Sequence, residues 1–145
     1  MIAIKPTEEK DLQAIYQMER RKGIKEFIQP YRMKEHREAL RSDKVEHLSV
    51  FDQKNHLIGF VLLNGIQPKA TKIELKRIVI SDPGKGLGTQ VLKMIQESCF
   101  KNHLCKEVWL DVFKHNQRAL SLYLKMGFVI TNATDELYIL TCHVT

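Results

Sequence analysis

The chain lacks any apolar run approaching the roughly 18–20 residues that a membrane-spanning helix needs. Its opening stretch, MIAIKPTEEK, carries charges where a signal peptide would carry its apolar segment. Both absences predict a cytoplasmic protein. Cysteine is scarce: Cys99, Cys105 and Cys142 are odd in number and lack paired spacing, which suits a reducing compartment and argues against a disulfide framework. Cys99, His103 and Cys105 lie close in sequence, yet they have no CxxC spacing, no obvious fourth ligand and no second shell. They are expected to be buried thiols and a surface histidine, with no metal. Low-complexity segments, internal repeats and Pro/Gly/Ser linkers are also missing, so residues 1–145 are expected to form a single domain. A domain of about this size buries roughly 68–70% of its unfolded surface and needs no disulfide or structural metal.

The chain holds 23 Lys and Arg against 17 Asp and Glu, a net charge of +6, which predicts attraction to anions without naming one. The cations are spread along the chain, and no aromatic-studded basic segment stands out. A phosphorylated ligand is therefore favoured over nucleic acid, and no membrane partner is expected.

Met1 to Lys5 alternates as a short strand, and Pro6-Thr7-Glu8-Glu9 reads as a helix start with Thr7 as cap. Leu12, Ile15 and Met18 follow at helical spacing. Beyond Gly23 a less regular stretch reaches Ser42, with one or two short helices and Pro30 interrupting. Residues 46–52 and 57–66 read as a hairpin joined by the polar turn Gln53-Lys54-Asn55-His56. Lys72 to Ile80 reads as a central strand, and a glycine-rich turn from Asp82 to Gly88 leads into a helix ending near Phe100, with Leu87, Val91 and Ile95 on one face. Glu107 to Phe113 is another strand, Asn116 caps a helix reaching Met126, and Gly127 is placed to end it in the left-handed conformation. Strands around Phe128 to Thr131 and Glu136 to His143 follow. The hairpin implies antiparallel pairing and the strand-helix-strand from 72 to 113 a parallel crossover, so the fold class is α/β with a mixed sheet of about seven strands and about four helices.

Ser81-Asp82-Pro83-Gly84-Lys85-Gly86-Leu87-Gly88-Thr89 joins a strand to a helix, where backbone N–H groups and the helix N-terminus can hold a phosphate or pyrophosphate. Glycines also occupy such turns for steric reasons alone, so the turn by itself leaves both readings open. The P-loop pattern GxxxxGK[ST] fails, because Lys85 precedes Gly86. The dinucleotide fingerprint GxGxxG fails on the spacing of Gly84, Gly86 and Gly88 and on the lack of an acidic residue at the expected distance.

The turn resembles the cofactor loop [QR]xxGx[GA] of the GCN5-related N-acetyltransferase (GNAT) family, with Pro83 standing where that family usually has Arg or Gln. Asn116-x-x-Ala119-x-x-Leu122-Tyr123-x-x-x-Gly127-Phe128 is similar to the family's NxxAxxLYxxxGF signature at every fixed position. The resemblance covers roughly residues 72–131. It implies a mostly antiparallel central sheet splayed between its two central strands, and acetyl-CoA as cosubstrate without a metal. The pyrophosphate would meet Lys85, Gly86, Leu87, Gly88 and Thr89, and the pantetheine arm would meet Ile78, Val79, Ile80 and Asn116. The resemblance further implies direct acetyl transfer to a primary amine of a peptide or small molecule, with Tyr123 donating a proton to the departing thiolate and Glu74 acting as base, directly or through water. A homodimer is compatible with it. Read structurally, Asn116 is a helix cap, Tyr123 a core aromatic and Glu74 an exposed carboxylate paired with Lys72 or Lys76. A noncatalytic acyl-CoA sensor or scaffold is the alternative function. Residues 20–45 are expected to cover the acceptor side, and their mixture of charges and aromatics selects no substrate class.

Overall fold

The architecture comes from a computed structural model, which describes residues 1–82 and 84–143. The elements run β1 (Ala3–Pro6), α1 (Leu12–Glu19), α2 (Met33–Arg41), β2 (Val45–Phe51), β3 (Leu57–Asn64), β4 (Lys72–Ile80), α3 (Leu87–Glu97), β5 (Glu107–Phe113), α4 (Gln117–Lys125), β6 (Val129–Ala133) and β7 (Leu137–His143). They build a 7-stranded sheet in the order β1-β2-β3-β4-β5-β7-β6. Every pairing is antiparallel except the parallel contact of β4 with β5. Short polar turns close the hairpins locally. Between β2 and β3, the Asp52 carboxylate accepts the N–H groups of Lys54 and His56, each at 2.9 Å, while Asn55 takes a left-handed φ of 65°.

The register of β4 decides what the sheet can hold. Leu62 faces Arg77 but Leu63 faces Leu75, so Lys76 is an extra residue bulging from the ladder. The bulge reverses which face each later side chain takes. Ile73 and Leu75 belong to the core that also takes Val91, Leu92 and Ile95 of α3, and Ile78 and Ile80 pack on that side. Val79 joins Ile15 and Met18 of α1 on the opposite face, where Arg77 also reaches α1. Pairing of β4 with β5 extends only from Lys72↔Glu107 to Glu74↔Trp109, and beyond that rung the two strands part.

Several local expectations need correction. Thr7 caps no helix; its hydroxyl lies against Ser49 Oγ at 2.6 Å and His47 Nδ1 at 2.8 Å. The helical entry instead starts at Glu8, whose N–H donates to the Asp11 carboxylate, and passes through a 3₁₀ turn at Glu9–Asp11 before α1. The strand expected over 57–66 stops at Asn64, and α3 gives way to a wider π-type turn over Ser98–Asn102 instead of ending near Phe100. Of the stretch from Gly23 to Ser42, Met33–Arg41 is helical. Cys99, Cys105 and Cys142 are buried free thiols, whereas His103 is half-buried and bonds the Glu46 carboxylate at 2.9 Å.

Beneath α1 and α2 runs a buried polar chain. Glu19 is fully buried and accepts from His36 Nε2 at 2.5 Å, from Arg77 Nη1 at 2.7 Å and from the Tyr31 N–H at 3.3 Å. His36 Nδ1 lies 3.0 Å from His47 Nε2, which carries the chain on to Thr7 and Ser49. Burial, reinforced by the neighbouring His36, pushes the His47 imidazole from 6.5 down to about 3. The unfolded chain takes up that proton near pH 6.5 and the folded chain only near pH 3, so between those values acid favours unfolding. Stability should therefore fall as pH drops below about 6.5, with a limiting slope of about 1.4 kcal/mol per pH unit for one proton. Urea titrations between about pH 7.5 and pH 5 measure this, and His47→Gln should flatten the fall. A wild-type midpoint that stays constant across that interval contradicts a buried neutral His47.

Candidate active site

The glycine-rich turn obeys backbone sterics before it serves any ligand. Gly84 and Gly86 take φ of 96° and 75°, a region that side chains rarely enter, and a Cβ at either would meet none of the described residues within 4 Å. These glycines answer a backbone requirement beside open space. Gly86 is the N-cap of α3, and no acidic residue occupies the first turn of that helix. Its free N–H groups and positive dipole end therefore stay available to an anion. Gly88 serves packing, since its Cβ would sit 3.4 Å from Leu122 of α4. Lys85 pairs with Asp82 at 2.6 Å on the exposed side of the turn. Pro83, in the position where the resembling motif has Arg or Gln, lies outside the described residues.

Next to this turn, β4 has an open edge. The Ser81 N–H donates to the Ile58 carbonyl at 2.8 Å, so strand alternation points the Val79 N–H toward β3 and those of Ile78 and Ile80 away from it. On that outer side β5 has already parted, which leaves the Ile78 and Ile80 amides free to bond a ligand.

Across the gap stands α4. The Asn116 Oδ1 accepts the Ala119 N–H at 3.3 Å, the cap expected from sequence, and Asn116 also faces the gap. Gly127 ends the helix at φ 95°. Tyr123 is only 7% exposed, and its ring meets Phe128 edge-on at 5.7 Å. Its hydroxyl bonds none of the described residues, while none of the fully buried side-chain nitrogens or oxygens among them lacks a partner. The hydroxyl therefore opens onto the gap. Burial first, and the Asp111 charge second, raise the phenol above its ordinary value, so it stays protonated and available as a donor.

These parts enclose a cleft of about 790 Å³, whose far wall is the segment from Gly23 to Ile28 with His115. His115 stacks against Phe113 at 5.2 Å and meets the Phe27 ring at a tilt at 5.5 Å, and its Nε2 donates to the Glu26 carbonyl at 2.9 Å. The turn before α4 is thereby tied to the loop after α1. A second cleft, of about 270 Å³, fills the space between the parted β4 and β5 and shares Ile78, Asn116 and Tyr123 with the first. Lys76, Arg77, Asp111 and Glu136 supply its charges. Tyr123 thus stands between two connected chambers.

Of the residues singled out in the sequence, Ile78, Val79, Ile80, Gly86, Leu87, Gly88, Thr89, Asn116 and Tyr123 line the larger cleft. Lys85 and Glu74 line neither cleft. The Glu74 carboxylate accepts from Asn64 Nδ2 at 3.3 Å and belongs to the last rung that joins β4 to β5. The segment 23–29 does border the clefts, whereas α2 packs against β2. Sequence reasoning assigned no site role to Arg77, Asp111 or His115, whereas Phe27 lies in the stretch expected to cover the acceptor side. A signal existed for Arg77 in the paired polar residues Lys76-Arg77, which break the alternation that runs from Lys72 to Leu75 and mark the bulge. The site fits a diphosphate carrying an extended amide-bearing arm: an anion cradle at one end, free strand amides along the middle, and a phenol at the other end. Among the described residues no three His, Cys, Asp or Glu side chains gather as metal ligands.

The fold and these motifs agree with known proteins. The spermidine N-acetyltransferase of Vibrio cholerae, solved in complex with CoA and spermine, superposes with a TM-score of 0.84 over 98% of this chain and 95% of its own, at 21% identity. The N-acetyltransferase PseH of Campylobacter jejuni gives 0.74 over 99% of both chains at 20% identity. At such identities the likeness establishes the fold. In sequence, the chain is similar to the spermine/spermidine N(1)-acetyltransferase of Bacillus subtilis, 31% identical over an 87-residue alignment that covers 54% of this chain and 57% of the relative. The chain thus spans little more than half the length of that curated relative. The profile of the acetyltransferase (GNAT) family matches residues 11–128, and the chain belongs to that family.

Proposed function

We propose that residues 1–145 act as one catalytic domain, an N-acetyltransferase that moves the acetyl group of acetyl-CoA directly to a primary amine of a small molecule or peptide. The observation that carries this reading is the unbroken path from the left-handed glycines, along the open edge of β4, to the Tyr123 phenol. Acetyl-CoA supplies an acyl group activated as a thioester. Amides of Gly86 to Thr89 hold the pyrophosphate, while Ile78 and Ile80 hold the pantetheine arm through their outward amides, beside Val79 and Asn116. Tyr123 gives its proton to the thiolate as the C–S bond breaks and the C–N bond forms, and the proton lost by the attacking nitrogen restores the phenol. The amine must shed a proton first. That costs about 4.6 kcal/mol at pH 7 for a lysine-like amine but only about 1 kcal/mol for an α-amine. Glu74, outside the linings of both clefts, acts as base through water where the acceptor needs one. The curated relative and the Vibrio structure are named for polyamines, so spermine and spermidine belong in the first panel of acceptors. No helix among the described residues is long and apolar enough to cross a membrane, which together with the free, buried thiols supports a cytoplasmic setting. Release of CoA thiol, followed with wild-type protein across a panel of amines, is the direct test. Amine-dependent release is expected. Calorimetric binding of acetyl-CoA with no release from any amine would replace the enzyme by a sensor or scaffold.

A further inference from the structure

The smaller cleft carries charges of both signs in fixed places. Arg77 is only 7% exposed, its Nη1 bonds Glu19 at 2.7 Å, and its guanidinium lies 4.8 Å over the Tyr31 ring. Glu19 is itself held by His36 and by the Tyr31 amide. The fork therefore has one orientation. The Nε and Nη2 of Arg77 bond none of the described residues, none of the fully buried nitrogens among those residues is left unpaired, and Arg77 lines the cleft. A locked guanidinium offering two donors is suited to bidentate capture of a carboxylate. Lys76, one residue earlier on the bulge, adds a positive charge on the same side.

Across the gap, Asp111 of β5 and Glu136 before β7 line the same cleft, and Asp111 shares it with the Tyr123 phenol. An ammonium held at Asp111 lies at the end where transfer would occur. Phe27, Ile28 and Leu137 give the cleft apolar wall between these charges. A polyamine carries cations throughout its length and would meet Arg77 with the wrong sign. A molecule with an amine at one end and a carboxylate at the other matches both walls.

We infer that the acceptor is a small amino acid, its carboxylate received by Arg77 and its amine by Asp111 beside Tyr123. This rests on the acetyltransferase reading and narrows it. The test compares lysine with cadaverine and ornithine with putrescine, pairs that differ only by the carboxylate, measuring kcat/KM for CoA release by wild-type protein. The amino acid of each pair should be favoured at least about tenfold, the scale of one charge-assisted bidentate contact. Arg77→Lys keeps a cation for Glu19 but loses the fork, so the ratio should fall toward one, with the KM for lysine carrying the change. Asp111→Asn should raise KM for both members of each pair. Equal rates within the pairs, or a preference for the diamines, would overturn the inference and leave the acetyltransferase reading standing. An Arg77→Lys protein that slows both members by one factor would overturn it too, since a purely structural arginine behaves that way. Release of CoA with another amine of the panel but with none of these four acceptors would overturn the inference alone, whereas binding of acetyl-CoA without release from any amine of the panel would overturn the acetyltransferase reading as well.

Discussion

Gly86→Asp should weaken acetyl-CoA binding by about a hundredfold in calorimetry while leaving a folded protein. The side chain has room, because a Cβ at Gly86 meets none of the described residues within 4 Å. What it adds is a carboxylate at the N-cap of α3, where the diphosphate is proposed to sit. Two unit charges about 4 Å apart repel by about 4 kcal/mol at the effective dielectric of a protein surface, and part of that is relieved by rotation of the side chain and by salt. A loss of roughly 2–3 kcal/mol remains, near a hundredfold in Kd. Gly86→Ala separates charge from backbone. Its φ of 75° makes any side chain costly by roughly 1 kcal/mol, which should lower Tm while affinity falls much less than in the aspartate variant. A Gly86→Asp protein that binds acetyl-CoA as tightly as wild type would remove the glycine turn from the site.

The features readable in the sequence are those that local backbone physics decides. Asn116 caps α4 and Gly127 ends it because a side-chain oxygen and a left-handed residue are needed at those two places, whatever surrounds them. The glycine turn was legible for the same reason. Thr7 was misread because the rule for caps looks three residues ahead, whereas its hydroxyl is claimed by His47 and Ser49, about 40 residues away. Glu74 and Arg77 show how far one register shift reaches. Without the bulge at Lys76, strict alternation would put Arg77 on the face of Ile73 and Leu75. With it, Arg77 turns to Glu19 on α1 and reaches a cleft that begins only where β5 leaves β4. The lining of that cleft starts at Leu75, one residue past Glu74. No spacing rule within the strand foretells the parting, because it depends on β5, more than thirty residues later.

Tyr123→Phe should lower kcat by about tenfold to a hundredfold and change the Kd for acetyl-CoA by no more than about twofold. Positioned proton transfer is commonly worth 10²–10⁴-fold, but a leaving thiolate whose conjugate acid has a pKa near 8.5 needs less help than an alkoxide, which places the loss at the low end. The ring would keep its edge-on contact with Phe128, and removing a hydroxyl that bonds none of the described residues leaves no buried partner unsatisfied. Folding stability should therefore hold, and any loss of rate can be read as chemistry. Burial and Asp111 both keep the wild-type phenol protonated, so ionisation of Tyr123 should not cut off the wild-type rate on the alkaline side of neutrality. Full kcat in the variant would take the proton donor away from Tyr123. A fall in acetyl-CoA affinity as large as the fall in rate would make the phenol a binding group instead, because an interaction formed only as the C–S bond breaks lowers kcat without weakening the ground-state complex.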